Sequence, residues 1–132
     1  MMRRAAFAIA LLSLTQLGCK SDEVVEVVNT WQLDAILADP GDGSGQFESV
    51  NSDKQIEVFE DETYTCNGSL CMLGGETTET TTGTFSDIDS TIVASGCGVN
   101  LPFPLSYDLS DDTLILNYPC FEACRERYLR VE

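Results

Sequence analysis

The stretch Leu105-Ser106-Tyr107-Asp108-Leu109-Ser110-Asp111-Asp112-Thr113-Leu114-Ile115-Leu116-Asn117-Tyr118 decides the fold class of this chain. Apolar side chains occupy every second position on each side of a central Ser-Asp-Asp turn: Leu105, Tyr107 and Leu109 before it, and Leu114, Leu116 and Tyr118 after it. A period of two puts alternate side chains on opposite faces of an extended strand. The stretch therefore predicts two half-buried strands joined by a short turn in an antiparallel sheet.

Similar extended patterns recur along most of the chain. They lie at residues 25–37, 55–58, 63–66, 77–85, 90–95 and 128–131, and turn-forming residues separate them at 39–45, 60–62, 74–75 and 87–89. In the last run, Leu129 and Val131 form the apolar face, opposite Tyr128 and Arg130. Seven to nine strands with short connections predict an all-β fold, a small antiparallel up-and-down β-barrel whose closure hides the sheet edges.

The first residues read as an export signal. Arg3 and Arg4 supply positive charge, residues 5–17 are mostly apolar, and Gly18 precedes Cys19. The apolar stretch is too short to span a bilayer, which takes about 20 residues. Gly18-Cys19 resembles the bacterial lipobox, in which the cysteine thiol is acylated and becomes the new N-terminus. The alternative is a secretory signal or an uncleaved anchor in which Cys19 has no role.

This reading divides the chain into three parts. Residues 1–18 form a lipoprotein signal peptide, residues 19–28 the lipidated N-terminus and linker, and residues 29–132 the barrel domain. The chain has 22 acidic residues, 7 basic residues and no histidine, and its net charge is −15. Loss of residues 1–18 removes Arg3 and Arg4 but no acidic residue, which makes the net charge −17. This charge repels phosphate and excludes a nucleic-acid partner.

Five cysteines remain once Cys19 is acylated: Cys66, Cys71, Cys97, Cys120 and Cys124. An oxidising compartment favours disulfides, and five cysteines form two at most. Gly68 allows a sharp turn, so the first predicted bridge is Cys66–Cys71. For the second, Cys120–Cys124 competes with a longer link from Cys97 to either of those two residues. The spacing is looser than in zinc sites, and no metal or other cofactor is expected.

The order of several short motifs resembles a family of bacterial lipocalin-like lipoproteins. The motifs are the lipobox, Trp31-Gln32-Leu33, the Gly-rich turn at 41–45, the strand and acidic turn at 56–62, the segment 67–71, Gly83-Thr84-Phe85, the segment 114–120 and a final strand at 127–131. The resemblance covers nearly all of the chain after residue 18. It implies a small calycin-type barrel, and it carries over no catalytic residues.

Candidate sites follow from the aromatic residues. In a barrel of about eight strands the interior is filled by side chains or holds one small ligand. The residues expected either to line such a cup or to fill the core are Trp31, Phe59, Phe85, Phe103, Tyr107 and Tyr118. Carboxylate pairs such as Asp111-Asp112 lie in predicted turns, and without histidine no triad forms, so catalysis is not expected.

The sequence thus supports two functional hypotheses. One is a lipid-anchored binding module of the cell envelope, in the outer membrane, that holds a small apolar ligand or a protein partner. The other is a structural envelope protein with a filled barrel and no ligand. An enzyme is the least favoured class.

Overall fold

The computed structural model of the chain describes residues 26–97 and 104–132, so the predicted signal peptide, Cys19 and Phe103 lie outside the described residues. Those residues form nine strands and no helix. The strands are β1 Thr30–Ala38, β2 Glu48–Ser49, β3 Gln55–Val58, β4 Thr63–Cys66, β5 Thr81–Ser86, β6 Thr91–Ala94, β7 Pro104–Ser110, β8 Thr113–Asn117 and β9 Cys124–Arg130. Within the same ranges, no helical segment has the length and apolar character required to span a membrane.

The strands close into an antiparallel barrel. From β3 to β9 each strand pairs with the next one in the chain, and β1 pairs with both β3 and β9. The two-residue strand β2 lies on the same edge of β1 as β3, further along β1, so eight strands form the closed wall. The predicted all-β, up-and-down barrel is confirmed. The strand predicted at 77–85 begins only at Thr81, because residues 77–80 belong to a loop.

Side chains fill the barrel interior. The predicted alternation is confirmed in β3, β4 and β8, where every second residue is buried. Trp31, Tyr64 and Tyr128 are the largest side chains of the core and are at most 1% exposed. Around them pack Leu33, Ile56, Val58, Cys66, Leu70, Phe85, Ile92, Ala94, Leu105, Tyr107, Leu114 and Leu116.

The predicted inner face of the last strand is wrong. In β9, Glu126 and Tyr128 are fully buried, whereas Leu129 is 41% exposed and Val131, just after the strand, is 40% exposed. Hydrophobicity alone assigns Leu129 to the core. It fails here because the interior supplies hydrogen-bonding partners for both the carboxylate and the phenol, so burial of these polar groups is compensated.

A β-bulge changes the face that β1 presents to the interior. Its register against β9 shifts between Leu33 and Ala35. Directly paired residues share a face, and Ile36 pairs with the buried Glu126. Ile36 accordingly packs against the core. Leu37, predicted on the same face as Trp31 and Leu33, is buried but lies outside the main core cluster.

The two ends of the barrel differ. The N-terminal end carries residues 26–29 and the turns at 59–62, 87–90 and 111–112. At the other end the connection between β4 and β5, residues 67–80, folds back over the barrel and buries Leu70. We call this segment the capping loop, and the end that it covers the capped end.

The disulfides differ in part from the prediction. The structure pairs Cys71 with Cys97 and Cys120 with Cys124, and leaves Cys66 free and buried. The predicted Cys66–Cys71 bridge is wrong because Cys66 has the inward parity of β4, whereas Cys71 lies on the exposed surface of the capping loop. Of the two options for the second bridge, the short Cys120–Cys124 link is the one formed. Cys71–Cys97 fastens the capping loop to the residues that follow β6.

Candidate functional site

The aromatic residues predicted either to line a ligand cup or to fill the core are not gathered in one place. Trp31 is fully buried and donates from its indole Nε1 to the carbonyl oxygen of Val27 at 2.8 Å, so it is a core residue. Phe59 is only half-buried and follows the inward-facing Val58, so it does not belong to the core. The remaining three, Phe85, Tyr107 and Tyr118, are brought into two different places at opposite ends of the barrel.

The first of these places is a buried ion pair at the capped end. The Nζ atom of Lys54 lies 2.9 Å from Oε1 of Glu126, and both side chains are fully buried. Lys54 also donates to the carbonyl oxygen of Gly74 at 2.7 Å. Transfer of two charges out of water costs several kcal/mol for each ion, which the pair offsets only if the remaining polar atoms are also satisfied.

Glu126 meets that condition. Its Oε2 accepts hydrogen bonds from the hydroxyls of Tyr118 at 2.8 Å and Tyr128 at 2.5 Å. Its Oε1 accepts from the backbone amide of Gly74 at 2.8 Å. The capping loop therefore supplies a donor to the carboxylate and an acceptor to the ammonium from one residue, Gly74. Closure of the loop completes the solvation of both buried charges.

Sequence reasoning missed this cluster, although two signals point to it. Lys54 continues the inward parity of Ile56 and Val58, and Glu126 shares the parity of Tyr128. Because charged residues are rarely fully buried, a charged residue at an inward position is normally interpreted as the end of a strand. Recognition of the pair needs the knowledge that positions 54 and 126 meet, and only the closed barrel brings together residues 72 positions apart.

Cys66 lies beside this cluster as a free thiol. It is fully buried, and the backbone amide of Gly68 donates to its Sγ at 3.4 Å. Burial raises the pKa of the Cys66 thiol, and the Gly68 hydrogen bond only partly opposes the rise. A thiol in this state is a poor nucleophile. Its place at the root of the capping loop nevertheless makes it a reporter of loop opening.

The second place is an open cleft at the N-terminal end, with a volume of about 850 Å³. Its apolar lining comes from Val27, Val28, Phe85, Tyr107 and Leu109. The hydroxyl of Tyr107 donates to the carbonyl oxygen of Ser86 at 3.3 Å, and burial raises the pKa of Tyr107, with a smaller contribution from the Asp87 carboxylate. The rest of the lining consists of Ser90 and five exposed acidic residues: Glu26, Glu60, Glu62, Asp87 and Asp108.

In the Gly-rich segment after β1, the carboxylate of Asp39 forms its hydrogen bonds within the same loop. Asp39 accepts hydrogen bonds from the backbone amides of Gly41, Asp42, Gly43 and Gly45 at 2.7 to 3.1 Å. These bonds, those from Gly45 and Gly41 above all, lower the pKa of Asp39.

Within residues 26–97 and 104–132, no three His, Cys, Asp or Glu side chains are grouped so that they could hold a metal ion.

In comparisons with known proteins, no protein-family model, no curated protein and no solved structure matches the chain.

The four tyrosines predict loss of stability at high pH. Burial is the main cause that raises the pKa of Tyr64, Tyr107, Tyr118 and Tyr128, and Glu126 adds to it for the last two. Above pH about 10 the unfolded chain loses phenolic protons that the folded chain keeps, so the unfolding free energy falls, by about 1.4 kcal/mol per pH unit for each of Tyr64, Tyr118 and Tyr128 and by less for Tyr107. Tyrosinate absorbance should therefore rise together with unfolding. Normal titration near pH 10 in the folded protein would contradict this.

We expect the two disulfides to differ in how strongly they restrict opening of the capping loop. Replacement of Cys71 and Cys97 by serine should raise the alkylation rate of Cys66 by about tenfold or more, because the loop loses its covalent attachment to the end of β6. The matched control, serine at Cys120 and Cys124, should change that rate little. The unfolding free energy of both variants is also measured, because a lower global stability would expose Cys66 without specific opening of the loop. Equal alkylation rates in the two variants, at equal stability, would contradict the assignment.

Proposed function

We propose that this chain is a lipid-anchored protein of the bacterial cell envelope whose lipocalin-like barrel is a binding module. Three features of the sequence support the anchor: the charged and apolar segment at 1–18, Gly18-Cys19, and the short charged run Lys20-Ser21-Asp22-Glu23 that follows. The two disulfides of the structure agree with export, since such bonds persist in oxidising compartments. The outer membrane is the proposed location.

The observation that carries the binding function is the contrast between a filled interior and an open end. In the described part of the chain, Trp31, Tyr64 and Tyr128 occupy the barrel interior with their fully buried side chains, which argues against an internal ligand site. The cleft at the N-terminal end is of the size that small-molecule sites have, about 300 to 1,000 Å³. Binding of a small ligand or of a partner is therefore proposed at this end and not inside the barrel.

The cleft and the proposed anchor lie close together in the chain. Glu26, the first described residue, lines the cleft and is seven positions after Cys19. A fully extended chain of this length spans about 25 Å at most. An acylated Cys19 would thus hold the cleft near the membrane surface. Several acyl chains on one residue give a firm anchor, whereas a single chain gives a marginal one.

The second candidate function is a structural envelope protein without a ligand. The filled core is the observation that favours it, because a barrel packed by its own side chains needs no ligand for stability. The two candidates share the anchor and differ only in whether the cleft is occupied.

Replacement of Cys19 by serine tests the anchor. The native protein should fractionate with membranes, and its intact mass should lack residues 1–18, include acyl chains and be lower by two hydrogens for each of two disulfides. In the Cys19→Ser variant the acyl mass should be absent, and the protein should be either released or retained with residues 1–18 uncleaved. A Cys19→Ser protein that stays in the membrane fraction at the mature, unacylated mass would overturn the anchor.

A further inference from the structure

We propose that the cleft at the N-terminal end is a binding site for a small organic cation, a positively charged group carried on an apolar body. The proposal names the ligand class of the binding module and rests on that proposed function, but it does not depend on the membrane anchor.

The apolar part of the lining argues for an organic ligand. Phe85 and Tyr107 come from β5 and β7, and Val27 and Val28 from the segment that leads into β1, so three separate parts of the chain enclose the cleft. Aromatic rings next to aliphatic side chains form a surface on which the apolar body of a ligand is desolvated.

The acidic part of the lining sets the sign of the ligand's charge. Glu26, Glu60, Glu62, Asp87 and Asp108 come from four separate segments, which the fold brings around one opening. Among the described residues the ion pairs join Lys54 to Glu126, Arg127 to Asp34 and Arg130 to Asp112, so none of them neutralises the cleft. A concave surface lined by one sign of charge concentrates the field and attracts ions of the opposite sign.

The spacing of the carboxylates favours a large cation over a metal ion. A metal such as Ca²⁺ needs several oxygen ligands converging at about 2.4 Å. No group of three potential ligand side chains in the described parts of the chain, the cleft included, is close enough for that. Carboxylates distributed around an apolar surface instead fit a bulky cation, whose charge is attracted at longer range and whose body fills the space between them.

The protein carries its own reporter for the cleft. Trp31 is the only tryptophan of the chain, and its indole nitrogen donates to the carbonyl oxygen of Val27, which lines the cleft. A ligand that contacts Val27 changes the environment of this hydrogen bond. Occupancy of the cleft should therefore shift Trp31 emission.

The test is a titration of the full chain, held in zwitterionic lipid nanodiscs where it is acylated, with three probes that share one apolar body: phenylbutylamine, phenylbutanol and phenylbutyrate. Trp31 emission is read with excitation that the phenyl group does not absorb, equilibrium dialysis gives the bound amount, and empty nanodiscs correct for partition. The amine should bind saturably, about tenfold or more tightly than the alcohol, and less tightly as salt is added. The carboxylate should not bind.

Two double variants with the same change in net charge locate the site. Glu60→Gln with Asp87→Asn removes two carboxylates from the cleft and should weaken amine binding by about tenfold. Glu48→Gln with Glu122→Gln, at exposed positions outside the cleft, should leave the affinity unchanged. Circular dichroism checks that each variant folds.

Three results would overturn the proposal: no saturable binding of the amine, equal binding of amine and alcohol, or equal effects of the two double variants. If the anchor proposal fails, the protein is found to be unacylated, and the same titration can then be carried out without nanodiscs. The two proposals can therefore fail separately.

Discussion

The buried pair of Lys54 and Glu126 is the interaction on which the capped end of the barrel depends. Neither charge has access to water, so each must be solvated by the protein, and the groups that do this come from distant parts of the chain: Tyr118, Tyr128 and the backbone of Gly74. Removal of one charge leaves the other buried without its partner, which costs more than the intact pair contributes. The pair thus makes closure of the barrel, docking of the capping loop and orientation of two tyrosines interdependent.

This arrangement leaves function to the surface. Among the described residues, the interior of this small barrel is occupied by two charges, three large aromatic side chains and a free thiol. The open N-terminal end has the opposite character, since its carboxylates lack cationic partners among the described residues and lie around an apolar floor. The charges at the capped end are thus paired with each other, whereas the carboxylates at the N-terminal end are left to interact with solvent or a ligand.

Local patterns predict the fold well, and the site poorly. The alternation in β3, β4, β7 and β8 and the turns between them depend on neighbouring residues, so local patterns are sufficient to predict these strands and their antiparallel order. The inward position of Glu126, the shift at the β1 bulge and the Cys71–Cys97 pairing depend on contacts between residues far apart in sequence. The five acidic residues of the cleft each look like an ordinary turn or strand residue, and only the closed barrel brings them together. Cys19 and its acylation remain a prediction.

Chemical denaturation of the Lys54→Met variant tests the central role of the buried pair most directly. Methionine keeps much of the length of the lysine side chain but leaves the Glu126 carboxylate buried without its counter-charge, so we expect a loss of about 3 to 5 kcal/mol in unfolding free energy. Asp34→Asn, which breaks the partly exposed pair with Arg127, is the control and should cost about 1 kcal/mol or less. A Lys54→Met protein no less stable than the Asp34→Asn control would contradict the account.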